Sequence, residues 1–178
     1  MGLLDHIFPS TDEPKAEDFT PVEAIANPNA ITAPVTGAVI NRVDVESDVF
    51  AQGLLGRGCG IRPQEDVIYA PANGTVTVQY AGSRHALGMA SDGGAQIVVH
   101  VGLGTVAMEG KGFTYLVHQG DSVKAGQPVL AFSREAITEA GYDPIVTIAI
   151  VNSDDFSRIE LVQQGHVDAG QILFELEN

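Results

Sequence analysis

"SRHALGMASDGGAQIVVHVGLGTV", Ser83–Val106, sets two short apolar segments on either side of Asp-Gly-Gly, with one histidine before the first segment and another at the end of the second. Short apolar runs bounded by glycine clusters read as strands. Asp-Gly is a strong hairpin signal, because a type I′ turn needs positive φ at both central residues. The stretch therefore reads as an antiparallel hairpin of Ala86–Ala90 and Gln96–Val101. With Asp92 and Gly93 as a two-residue loop, Ser91 faces Gly94. Counting back along both strands then puts His85 opposite His100 on one face, with Cβ atoms ~4.5–5.5 Å apart. A three-residue loop through Gly94 would shift the register by one and send the rings to opposite faces.

The same punctuation continues along the chain. Further candidate strands are Ala38–Val43, Gly60–Pro63, Val67–Tyr69, Gly74–Tyr80, Pro128–Phe132, Val146–Val151 and Gln171–Leu176, with turn residues every 8–12 positions. Only "SREAITEAG", with Ser133 as N-cap and Gly141 as stop, and "DDFSRIELV" look like short helices. Two pairs of fragments echo each other: "TAPVTGAVINR" with "YAPANGTVTVQ", and "VKAGQPVLAF" with "VDAGQILFEL". The fold class expected is all-β, an antiparallel β-sandwich with internal duplication and one or two short helices.

A length of 178 residues fits one domain with a tail. Residues 1–29 hold four prolines and six acids against one lysine, and read as a flexible acidic tail preceding a domain over 30–178. Leu3, Leu4, Ile7 and Phe8 could form one apolar side of a short turn. Without basic residues this supports at most weak peripheral membrane contact. The net charge of −14, with nine basic residues, leaves no patch to neutralise phosphates and argues against nucleic acid as a partner. No apolar run approaches the ~18 residues of a membrane span, and the first residues lack the basic and apolar regions of a secretory signal. The single cysteine, Cys59, excludes an internal disulfide and reads as a small buried hydrophobe. The expected location is cytoplasmic.

Two imidazoles facing each other near a core strand lower each other's pKa and add little packing, which points to chemistry. They could ligate zinc, with a third ligand missing. Alternatively, one could act as a nucleophile while the other stabilises transferred charge. A nucleophilic ring needs a free lone pair on one nitrogen, and a backbone carbonyl bonded to the other would fix that tautomer. The carbonyl of Gly102 is placed to do this for His100.

These residues resemble the glucose-type IIA phosphocarriers of the bacterial phosphoenolpyruvate-dependent sugar phosphotransferase system. The likeness runs from about Ile31 to Glu177 through "ITAPVTGAV", "VFAQGLLGRGCGIRP", "APANGTV", "GDSVKAGQPVLAF" and "PIVTIAIVNSD". It implies a β-sandwich that accepts a phosphoryl group from the histidine-containing carrier HPr and passes it to a IIB domain of a sugar permease. No cofactor is required, although zinc could bridge His85 and His100 in a complex. By the same resemblance His100 is the phosphoacceptor, His85 hydrogen-bonds the phosphoryl group, and Ser83 braces His85. Val49, Phe50, Leu54, Leu55, Val98 and Val106 would form the apolar rim on which partners dock.

Two positions depart from the family's pattern. Gly104 and Ser47 stand where acids are usual, and Asp48, one step after Ser47, could compensate at the partner surface. The departures keep open a regulatory IIA-like binding module without efficient relay. A biotinyl- or lipoyl-type carrier would need a lysine on a hairpin, which neither Lys111 nor Lys124 supplies. A lysostaphin-like zinc hydrolase would need a His-x-His pair that "HVG" breaks. His6, His118 and His166 receive no role.

Overall fold

The computed structural model describes residues 13–178. Along the chain lie β1 (Ala30–Thr32), β2 (Gly37–Asn41), α1 (Asp48–Ala51), β3 (Arg57–Pro63), β4 (Val67–Tyr69), β5 (Gly74–Gln79), β6 (Ala86–Ser91) and β7 (Gln96–Leu103). There follow β8 (Phe113–Tyr115), β9 (Ser122–Val123), β10 (Pro128–Phe132), α2 (Arg134–Glu139), β11 (Asp143–Ile150), β12 (Arg158–Leu161), β13 (His166–Val167) and β14 (Ile172–Glu177). An eight-stranded sheet in the order β13-β2-β3-β11-β7-β6-β5-β9 packs against two three-stranded sheets, β1-β14-β12 and β4-β10-β8, all of it antiparallel.

Side-chain alternation fixes which face of each strand is inside. Ile97, Val99 and Val101 of β7 and Val146, Ile148 and Ile150 of β11 are essentially inaccessible and meet Ile31, Ile68, Leu130, Phe132 and Leu173 from the small sheets. The run "IVTIAI" in β11 does not alternate, because its other face is also covered: Ile145 and Ala149 pack with Val45 and Phe50. A strand buried on both faces reads as a continuous apolar run. Cys59 is part of the main core, and burial pushes its thiol up to about 12.

The echoing fragments fold as equivalent halves. One Ala-Pro-x-x-Gly segment joins β1 to β2 and the other joins β4 to β5; the Ala-Gly-Gln turns precede β10 and β14. The two Ala-Pro turns bond to each other, the Thr32 N–H donating to the Pro71 carbonyl at 2.7 Å and the Tyr69 N–H to the Pro34 carbonyl at 2.8 Å. Each turn also takes the other kind of repeat in the same way: Ala33 N–H donates to Gln171 C=O and Ala70 N–H to Gln127 C=O, both at 2.8 Å. The large sheet shares this symmetry, with its centre between β7 and β11, where Val99 faces Ile148.

The expected strands are present with boundaries moved by a few residues. Ser133 caps α2, its hydroxyl accepting from the Ala136 N–H at 2.9 Å, and Gly141 follows at φ +88°. "DDFSRIELV" is the exception: only Ser153–Asp155 makes a single 3-10 turn, and Arg158–Leu161 is a strand, because Ile159 and Leu161 face the core beside β14. Of the stretch expected to be a tail, residues 1–12 lie outside the described residues, with His6 and the apolar turn of Leu3, Leu4, Ile7 and Phe8. The remainder is laid against the domain. Val22 N–H donates to Gly126 C=O at 3.0 Å, and Phe19 and Val22 pack on Val67, Tyr69 and Ala169.

Gly37 and Gly74 occupy equivalent places at the starts of β2 and β5, where a Cβ would stand 2.0 Å from the carbonyl oxygens of Arg62 and Ala90. Gly37→Ala and Gly74→Ala are each expected to lower stability by about 1–3 kcal/mol, as overpacking against backbone does. Urea unfolding measures this, and wild-type midpoints in both variants would contradict the close approach.

Candidate functional site

Since Val99 and Val101 point into the core, His100 points out of it, between Ala86 of β6 and Thr147 of β11, which are its partners in register. The hairpin that delivers it has three loop residues, not two. Ser91 N–H donates to Ala95 C=O at 2.8 Å, Gly94 N–H to Ser91 C=O at 2.9 Å, and Gly94 takes φ +90°. The register is thus one residue away from the two-residue reading, and Ala86, not His85, faces His100.

The rings nevertheless meet, with centroids 5.7 Å apart. His85 lies just before β6, in the loop after β5. There Arg84 adopts a left-handed φ of +50°, and only the His85 carbonyl joins the ladder, accepting from Val101 N–H at 2.7 Å. Freed from strand alternation, the imidazole lies on the His100 side. Ser83 Oγ stands 2.8 Å from its Nδ1, and the Tyr80 ring packs on it at 5.6 Å.

Both imidazoles border a cleft of about 320 Å³, lined also by Glu46, Ser47, Phe50, Leu55, Gly102, Leu103, Gly104, Thr105, Val106 and Thr147. Burial, and then the neighbouring His85 ring, lower the pKa of His100 to about 4; burial lowers that of His85 as well. Both rings are neutral at neutral pH. Each then has one N–H donor and one bare nitrogen lone pair, which makes an uncharged pair of nucleophile and donor.

Other expected positions resolve differently. The Gly102 carbonyl makes no hydrogen bond with the His100 ring. Gly102 takes φ +81° and turns the chain into a segment where Thr105 Oγ1 donates to Val101 C=O at 2.6 Å. Phe50 is buried at 3% exposure against Val45, Ile145 and Ala149, so it supports the cleft wall and is no part of an open rim. Its inward turn sends Val49 outward; Val49, Leu54 and Val106 are 49%, 69% and 59% exposed, while Leu55 and Val98 are half-buried.

The acid bordering the cleft is Glu46, which sequence reading missed; Asp48 is exposed on α1 outside the lining. A count of carboxylates within a few positions of Ser47 would have included it. Gly104 has its own reason to be glycine: φ is +76°, and a Cβ would meet the Tyr142 ring at 3.2 Å. His118 and His166 are exposed and lie beside Asp121 and Asp168. As metal donors, His85 and His100 supply two nitrogens, and among the described residues no group of three His, Cys, Asp or Glu side chains gathers. Zinc takes at least three protein ligands, so an ion here would need a donor from another chain.

His100→Gln tests the buried, neutral ring through stability. Because the folded-state pKa of about 4 lies below the unfolded value of 6.5, the unfolded chain binds a proton that the folded chain refuses. Stability falls as pH drops through that interval and is unaffected by this group above it. The glutamine variant should lose less stability from pH 6.5 to 4 in denaturant titrations; superimposable profiles would contradict the burial argument.

Residues 29–156 match the family model described as phosphoenolpyruvate-dependent sugar phosphotransferase system, EIIA 1. A glucose-specific EIIA component of Bacillus cereus is 42% identical over 128 residues, covering 72% of this chain and 77% of that protein. A β-glucoside-specific EIIBCA component of Dickeya chrysanthemi is 39% identical over 171 residues, covering 92% of this chain but 27% of that protein, so the chain spans about a quarter of its length. The solved structure of glucose permease IIA from Mycoplasma capricolum superposes with a TM-score of 0.76 at 28% identity, covering 82% of this chain and 93% of that one. The family match ends at residue 156, yet β14 pairs with β1, so the fold extends to Glu177.

Proposed function

This chain belongs to the EIIA 1 family of the phosphoenolpyruvate-dependent sugar phosphotransferase system, and we propose on that basis that His100 carries the phosphoryl group, taking it from phospho-HPr and giving it to a IIB domain of a sugar permease in the cytoplasm. The observation that supports this most is the pair of neutral imidazoles 5.7 Å apart at one cleft.

The lone pair of a His100 ring nitrogen attacks phosphorus, forming an N–P bond in line with the bond that breaks to the donor's nitrogen, which keeps the electron pair; the donor ring takes up a proton as the phosphorylated His100 ring gives up its N–H proton. In the onward step the acceptor's nucleophile attacks the same phosphorus, the pair of the broken N–P bond returns to His100, and the ring takes back the proton that the acceptor releases. Ser83 sets the role of His85. With the Ser83 hydroxyl donating to Nδ1, the ring proton sits on Nε2, where it can donate to a phosphoryl oxygen. A protonated ring would have no lone pair to attack with. The depressed pKa of His100 therefore serves the chemistry directly.

The rim favours a partner that is apolar at the centre and basic at the edge. Val49, Leu54 and Val106 offer exposed apolar contact beside the cleft, Glu46 adds a carboxylate, and the whole chain carries a net charge of −14. Complementary charge of that kind acts mainly on encounter rate and register.

Incubation with phosphoenolpyruvate and the general phosphotransfer proteins should yield an acid-labile, alkali-stable phosphate that is absent from His100→Ala. His85→Ala should still be charged but should pass the group to IIB about 100-fold more slowly, the cost of losing one preorganised donor. A charged His100→Ala protein, or normal onward transfer by His85→Ala, would contradict these assignments.

A further inference from the structure

The loop that carries His85, Tyr80–His85, spans the gap between the end of β5 and the start of β6. Within it the Arg84 N–H donates to the Tyr80 carbonyl at 2.7 Å, and Ser83 and Tyr80 contact the His85 ring. These contacts are internal; outward, Arg84 pairs with Glu13 at 3.1 Å and the His85 carbonyl accepts from the Val101 N–H, yet neither joins the loop's two ends. Its two ends are joined by one outside group. The phenol of Tyr115, at the end of β8, accepts from the Tyr80 N–H at 3.0 Å and donates to the carbonyl of Ala86, the residue that faces His100 in the ladder. One oxygen therefore ties the loop's entry to its exit. Tyr115 is itself fixed by pairing with Leu130 of β10 in the small sheet. Nearby, Gln79 donates to the Val117 carbonyl at 2.8 Å and accepts from the Gln119 N–H at 3.1 Å, so the end of β5 and the chain after β8 are bound side by side.

We infer that Tyr115 is a positioning residue for phosphoryl transfer: its hydroxyl closes the His85 loop and so sets where the second imidazole stands relative to His100. This rests on the role given to His85 above. The phenol is half-buried, and burial is the first cause that raises its pKa, so it remains a donor throughout the neutral range. Catalytic geometry is sensitive to such supports, since small displacements of a first contact group cost large factors in rate.

Tyr115→Phe keeps the ring and removes only the hydroxyl. In this variant kcat for onward transfer should fall by roughly 10- to 100-fold, while KM for the IIB domain stays within about twofold. By NMR, the His85 ring should titrate closer to the ordinary imidazole value, and His100 should still be charged. In a His85→Ala background the same substitution should produce no further loss, because its effect passes through His85. In the unaltered protein the Tyr80 amide should be protected from hydrogen exchange although the residue is 44% exposed, a readout that does not depend on the variant folding.

An unprotected Tyr80 amide would overturn the inference. So would an equal loss of transfer with and without His85. Slow transfer by His85→Ala beside an unmoved His85 titration in Tyr115→Phe would overturn the role of Tyr115 alone. Normal transfer by His85→Ala would instead overturn the reading of His85 on which that role rests.

Discussion

Burying Val99 and Val101 forces His100 outward, and the rest of the site follows from that constraint. Alternation along β7 leaves no other face for the ring once Ile97, Val99 and Val101 are in the core. The core needs those side chains because β7 and β11 are the central strands of the large sheet, joined around Val99 and Ile148 and flanked symmetrically by the two repeats. The duplicated architecture thus places His100 next to its centre. The reciprocal hydrogen bonds between the Ala-Pro turns bind the halves together on the opposite layer.

The second imidazole depends on a different kind of control. His85 stands one step outside the ladder, at a place where Arg84 leaves ordinary strand conformation, so no rule of alternation governs its direction. Contacts take over: Ser83 at Nδ1, Tyr80 against the ring, and Tyr115 across the loop. One ring is fixed by the core and the other by a braced loop.

Much of this was legible in the residues. Runs of branched apolar side chains between turn signals marked nine of the strands, and the repeated Ala-Pro-x-x-Gly and Ala-Gly-Gln fragments announced the duplication that the sheet order displays. What was missed has physical causes. Ser122–Val123 and His166–Val167 are two-residue edge strands with no periodicity to read. Asp-Gly suggested a two-residue turn, but the following Gly94 offered a left-handed position that makes a three-residue loop equally natural, and the ladder moved by one. The histidines met in spite of that register, because the left-handed residue before His85 lay outside what strand counting can show. Phe50 looked like a surface residue in a motif, yet one turn of helix sends it inward beside Val45 and leaves Val49 outside.

Whether two uncharged imidazoles share one cleft can be read from a pH titration of the carbon-bound ring protons of His85 and His100, with nuclear Overhauser contacts between them. Cross-peaks between the two rings are expected, with His100 remaining neutral until about pH 4 and His85 titrating below 6.5. Absence of ring-to-ring contact, or ordinary titration of both histidines near 6.5, would contradict it.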